Sequence, residues 1–153
     1  MGFRELIRWF FKSDKNTKSQ AFDQLITDCT QAIKQNPKDV ETYFSRGWVY
    51  LNEGDYDNAI ADYTKVIEID PGYVKAYLYR GHSYSAKGDN DLAIDDYTSV
   101  VELNPNDAET YVYRGSAYIR KGDGKSSISD AIMAARLGHD GAQRFLQEEG
   151  LRW

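Results

Sequence analysis

The sequence predicts an all-α solenoid of stacked helix pairs, and three observations carry that prediction. The first is a period. "YFSRGWVY" begins at residue 43, "YLYRGHSY" at 77 and "YVYRGSAY" at 111, a spacing of 34 residues. The match runs well past these octets, pairing Ala59 with Ala93, Ile60 with Ile94, Tyr63 with Tyr97 and Pro71 with Pro105. Self-similarity at such a period is the mark of a repeat architecture. The second is apolar spacing. Tyr43, Gly47 and Tyr50 fall four and three residues apart, and Ala59, Ile60, Tyr63, Val66 and Ile67 make a second stripe, which predicts two amphipathic helices per period. The third is punctuation. Gly54, Gly88 and Gly122 are each followed by an aspartate, Asp55, Asp89 or Asp123, placed to accept from the first amides of the second helix. Pro71 and Pro105 then stop that helix. No stretch alternates with a period of two long enough to require a strand.

Taken in order, residues 1–20 are an N-terminal arm ending in a polar joint, "SDKNTKSQ". Phe3, Leu6, Ile7 and Phe10 follow helical spacing beside a basic row of Arg4, Arg8 and Lys12, with Trp9 and Phe11 widening the apolar side. Residues 21–39 are the second helix of a partial repeat, because Phe22, Ala32, Ile33 and Pro37 land on Tyr56, Val66, Ile67 and Pro71. Three full repeats follow at 40–73, 74–107 and 108–141. The third keeps Tyr111, Gly115 and Tyr118 but places Ser127, Ala131 and His139 where the others carry alanine, an aromatic residue and proline. Residues 142–153 form a capping helix stopped by Gly150, with Leu146, Leu151 and Trp153 expected to cover the last apolar face.

These residues resemble tetratricopeptide repeats, whose helix-turn-helix units carry an aromatic, leucine-glycine, tyrosine, alanine, a second aromatic and proline at fixed offsets. The resemblance is close over 40–73 and 74–107. It implies a right-handed superhelical solenoid, and it implies that the first helices line a concave groove receiving a peptide or helix of a partner. The residues at groove offsets are Phe44, Trp48 and Leu51 in the first repeat, Lys75, Leu78, Tyr79 and His82 in the second, and Val112, Tyr113, Ser116, Ile119 and Arg120 in the third. Some members of the family clamp the acidic tails of chaperones with lysine, asparagine and arginine. Here Phe44, Trp48, Tyr79 and Tyr113 stand where such a clamp needs polar or cationic groups, so that function is not carried over.

The sequence departs from the family where leucine is expected and Arg46, Arg80 and Arg114 occur instead. Asp62, Asp96 and Asp130 recur at the same interval on the second helices, and Asp28 holds that position in the partial repeat. Leaving one half of a buried ion pair unpartnered costs about 3–5 kcal/mol. The co-occurrence therefore predicts a ladder of Arg–Asp pairs between helices.

Composition removes several functions. A net charge of -5 repels a phosphate backbone, so nucleic acid is not an expected partner. One cysteine, Cys29, makes no internal disulfide, and it and two histidines cannot close a structural zinc site without help from carboxylates, which favours a reducing cytoplasm and no metal or cofactor. No run of residues is long and apolar enough to span a bilayer. "GDGKSS" at 122–127 lacks the leading glycine of a phosphate loop, since position 119 is Ile119. His82 is the best candidate for chemistry, yet no nucleophile or carboxylate accompanies it in a recognisable frame. His139 is expected to be solvated. The expectation is a binding module and not an enzyme.

The arm supplies an alternative. Its first 20 residues carry five basic and two acidic groups, net +3, so the remaining 133 carry -8. Residues 3–12 could stack on the partial repeat, enter a groove in a homo-oligomer, or lie on an anionic membrane surface.

Overall fold

The computed structural model describes residues 15–153. The arm at 3–12, and with it the choice among its three placements, lies outside the described residues. Within them the chain forms eight α-helices and no strand: α1 Lys15–Gln35, α2 Val40–Glu53, α3 Tyr56–Ile69, α4 Val74–Lys87, α5 Asn90–Leu103, α6 Ala108–Lys121, α7 Gly124–Arg136 and α8 Asp140–Glu148. Each packs chiefly on the helix before and after it, so α2–α3, α4–α5 and α6–α7 are the paired units of a superhelical solenoid.

The boundaries follow local chemistry. At the ends of α2, α4 and α6, Gly54, Gly88 and Gly122 take φ values of 80°, 88° and 86°, a left-handed geometry that residues with a Cβ adopt only at a cost. Their amides and those of the following aspartates turn back onto the last carbonyls, as in Asp55 N–H to Tyr50 O at 2.9 Å. Asp55 and Asp123 then cap α3 and α7 by accepting from the amides of Asn58 and Ser126. Asp89 occupies the N-cap of α5 but, against expectation, its side chain accepts no capping hydrogen bond; its carboxylate lies 3.9 Å from Lys87 Nζ. Helices α3 and α5 close at Asp70 and Asn104, one residue before each proline.

Three further expectations need correcting. The polar joint is helical from Lys15, because "KNTKSQ" contains no glycine or proline to stop α1. His139 is not merely solvated: half-buried, it stands as the N-cap of α8, where its Nδ1 accepts from Ala142 N–H at 3.1 Å. In the C-terminal cap only Leu146 is fully buried, while Leu151 and Trp153 remain exposed. Helix α8 has nine residues against the fourteen of α2, α4 and α6.

Candidate functional site

The leading helices α2, α4 and α6 are held in place by the Arg–Asp ladder. Arg46 donates from Nε to Asp62 Oδ2 at 2.8 Å and from Nη2 to Oδ1 at 2.7 Å. Arg80 and Arg114 grip Asp96 and Asp130 in the same two-pronged manner. Each arginine also donates from Nη1 to a threonine of the preceding unit: Thr30, Thr64 and Thr98, at 2.9, 3.1 and 3.1 Å. The link thus joins three helices, not the expected two. Burial pushes Asp62 and Asp96 above the usual carboxylate range against the pull of the arginines, while the carboxylate hydrogen bonds hold all three guanidiniums protonated. Such a pair specifies geometry more than it adds net stability. Asp28 accepts from Gln24 at 2.8 Å on an exposed face.

Beside the ladder runs a layer of rings. Tyr63 on α3 lies against Phe44 and Tyr79, with centroids 5.5 and 6.0 Å away. One unit on, Tyr97 on α5 meets His82 at 5.6 Å and Tyr113 at 6.0 Å. His82 sits between Tyr79 at 5.7 Å and Tyr113 at 4.7 Å, so one ring series continues from α4 to α6. Nδ1 of His82 and the Tyr97 hydroxyl share a hydrogen bond of 2.8 Å. Burial lowers the His82 pKa from its ordinary value and pushes Tyr97 up to about 12. The corresponding Tyr63 hydroxyl is buried with no hydrogen-bond partner; Trp48 stands where His82 does, so the imidazole nitrogen that meets Tyr97 has no counterpart in the first unit.

The predicted groove residues divide. Phe44 is only 8% exposed and belongs to the core, wedged among Tyr63, Tyr73 and Tyr79; it is not available to a partner. Trp48 is half-buried, edge-on to Phe22 of α1 at 6.0 Å. Leu51, Leu78, Tyr79, His82, Val112, Tyr113 and Ser116 are half-buried. Ser116 Oγ donates to the Val112 carbonyl at 2.9 Å. Lys75 is exposed, and Ile119 is 61% exposed. Arg120 is already engaged, donating to Asn90 Oδ1 at 3.0 Å and to Ser85 Oγ. Cys29, at the partial repeat's equivalent of Tyr63, is buried and its thiol is pushed up by desolvation.

At the third unit the layer opens. A cavity of about 160 Å³ lies among α6, α7 and α8, lined mainly by apolar groups that include Val112, Ile119, Ala131 and Phe145. One feature here was missed in the sequence although the period exposes it: Thr30, Thr64 and Thr98 recur at 34 residues. Ala131, already placed where Tyr63 and Tyr97 fall, is what leaves the space. Among the described residues no cluster of histidine, cysteine and carboxylates could hold a metal, and no helix is long and apolar enough to cross a membrane.

Comparison with known proteins bears on the fold. The family model described as tetratricopeptide repeat matches residues 40–73 and 74–107. A crystal structure of MamA aligns at 24% identity over 91% of this chain and 85% of its own, with a TM-score of 0.76. MamA from Desulfovibrio magneticus RS-1 aligns at 20% identity over 79% of this chain and 68% of its own, with a TM-score of 0.72. The first repeat domain of Spaghetti (RPAP3), bound to the HSP90 peptide SRMEEVD, aligns at 24% identity over 71% of this chain and 88% of its own, with a TM-score of 0.66. No curated protein matches the sequence significantly.

Proposed function

The chain is a tetratricopeptide-repeat protein, and from that premise we propose that it is a protein-interaction module that seats a peptide or helix of a partner along α4 and α6. The observation that carries this reading is the half-exposed series Tyr79, His82, Tyr113, which leads past Ser116 and exposed Ile119 to an open apolar cavity. Rings that are fixed in advance by neighbours lose little entropy on binding, and burying a large apolar side chain contributes about 1.5–3 kcal/mol. Lys75 at the start of α4 gives direction by attracting an acidic group of the ligand. A peptide on a related fold is illustrated by the Spaghetti domain with its HSP90 peptide. The aromatic groove here differs chemically from a clamp for carboxylates, so an apolar ligand is the better fit. Proteins of this family are in general interaction modules rather than enzymes.

The test is capture of partners by the wild type and by the double variant Lys75→Glu, Ile119→Asp. Both side chains are exposed, so the fold should be untouched. The expected result is at least a roughly tenfold loss for the wild-type partner set, as for a lost anchor; an unchanged set rules this face out. A second reading, in which the arm at 3–12 mediates self-assembly or membrane contact, is favoured by the split of +3 in residues 1–20 against -8 in the rest.

A further inference from the structure

The inference rests on the groove reading above and names the chemistry that one end of the groove accepts. A single position of the repeat is occupied by Tyr63, Tyr97 and Ala131. In the first two units the phenol ring lies directly on a glycine: a Cβ added to Gly47 would come within 3.0 Å of Tyr63 Cε1, and one added to Gly81 within 2.8 Å of Tyr97 Cε1. The third unit keeps the glycine, Gly115, and omits the ring. What remains is the cavity of about 160 Å³. A cavity of about 150 Å³ accommodates one benzene molecule.

The lining agrees position by position. Around Tyr97 stand Leu78, Gly81, His82 and Ala93. The residues 34 further on, Val112, Gly115, Ser116 and Ser127, line the cavity. The polar partner is conserved in role as well. His82 meets the Tyr97 hydroxyl, and Ser116 holds the same place with its own proton committed to the Val112 carbonyl. Its oxygen is therefore left to accept from an incoming donor.

We propose that this cavity is a socket for an aromatic side chain of the partner peptide, tyrosine ahead of phenylalanine, entering where Tyr63 and Tyr97 lie in their own units. The ring supplies apolar burial against Gly115 and Ala131, and the phenol hydroxyl donates to Ser116 Oγ.

The test titrates the full chain with p-cresol, toluene and N-acetyltyrosinamide, read by amide chemical shifts. The expected result is that p-cresol and N-acetyltyrosinamide both shift Gly115, Ser116, Ile119 and Phe145, with p-cresol several-fold tighter than toluene. Ala131→Tyr, which restores the recurring ring, should abolish binding of both and raise the melting temperature. If that variant fails to fold, Ala131→Leu, which fills part of the space, should weaken p-cresol likewise. Ser116→Ala should bring p-cresol down to the affinity of toluene while toluene is unaffected. Absence of shifts in the wild type, or shifts indifferent to both Ala131 variants, overturns the socket. Binding of p-cresol without N-acetyltyrosinamide overturns the side-chain occupant. These probes need no partner, so a failure here leaves the interaction module standing, whereas an unchanged partner set with Lys75→Glu, Ile119→Asp removes the partner peptide as the source of the ring without altering what the small probes report.

Discussion

The second and third units share one skeleton and differ in what fills it. Arg80 reaches Asp96 at 2.9 and 2.7 Å and Thr64 at 3.1 Å; Arg114 reaches Asp130 at 2.9 and 2.7 Å and Thr98 at 3.1 Å. Next to these identical links, the second unit holds Tyr97 and His82 and the third holds Ala131, Ser116 and a cavity. Helix spacing is thus set by the charged, directional contact, whose geometry leaves no slack. The ring layer is relieved of that duty and can be emptied without collapse of the pair. A third version of the layer, in the first unit, keeps the ring but loses the hydroxyl's partner.

The comparison can be broken most forcefully by making the second unit resemble the third. Tyr97→Ala removes a ring that is 2% exposed, and should cost about 3–5 kcal/mol in urea unfolding while the chain stays helical by circular dichroism. A loss of helix content instead would show that the ring, not the ladder, sets the spacing. A smaller effect sharpens the contrast between the first and second units. Tyr97→Phe breaks a hydrogen bond and should cost about 1 kcal/mol; Tyr63→Phe removes a buried hydroxyl without a partner and should be neutral or stabilising by about 1 kcal/mol. Equal losses from the two would mean that the Tyr63 hydroxyl is satisfied in solution.

The smallest effect concerns pH. Burial holds the folded pKa of His82 below its unfolded value of about 6.5, so in the window just below that value the unfolded chain binds the extra proton. This contribution to stability is intact above about pH 6.5 and declines as pH falls from there toward the lower folded pKa. The unfolding midpoint of the wild type should therefore drop between pH 7.5 and 5.5 relative to that of His82→Gln. Parallel curves for the two would place His82 in contact with water.

Much of this was legible in the sequence. The period, the two helices per unit, the turns at Gly54, Gly88 and Gly122 and the Arg–Asp pairing all depend on residues whose spacing alone dictates which helix face they share. The threonines of the ladder were hidden for a different reason: their contact crosses from one unit to the next, and helical spacing within a unit does not report on it. Phe44 was misplaced because the offset of a residue on its own helix fixes a direction and not a depth. Tyr63, Tyr73 and Tyr79, from α3, from the turn between units and from α4, close over it. The cavity was visible as the substitution of Ala131 for tyrosine, but a missing ring becomes space only if the flanking helices keep their distance, and that depends on Arg114 and Asp130 holding as they do.

The three-way arginine contact has one more consequence. Each rivet ties a leading helix to its partner and to the unit behind it, from Thr30 through Thr98. The next stitch is missing at both of its ends: Ile132 takes the threonine's place and Glu148 the arginine's. Helix α8 is accordingly clipped on by Leu146, by the His139 cap and by the Gln143 amide on the Ala135 carbonyl, outside the seam that fastens the rest. That short helix should exchange its amides ahead of the riveted helices before it, and it is also one wall of the socket.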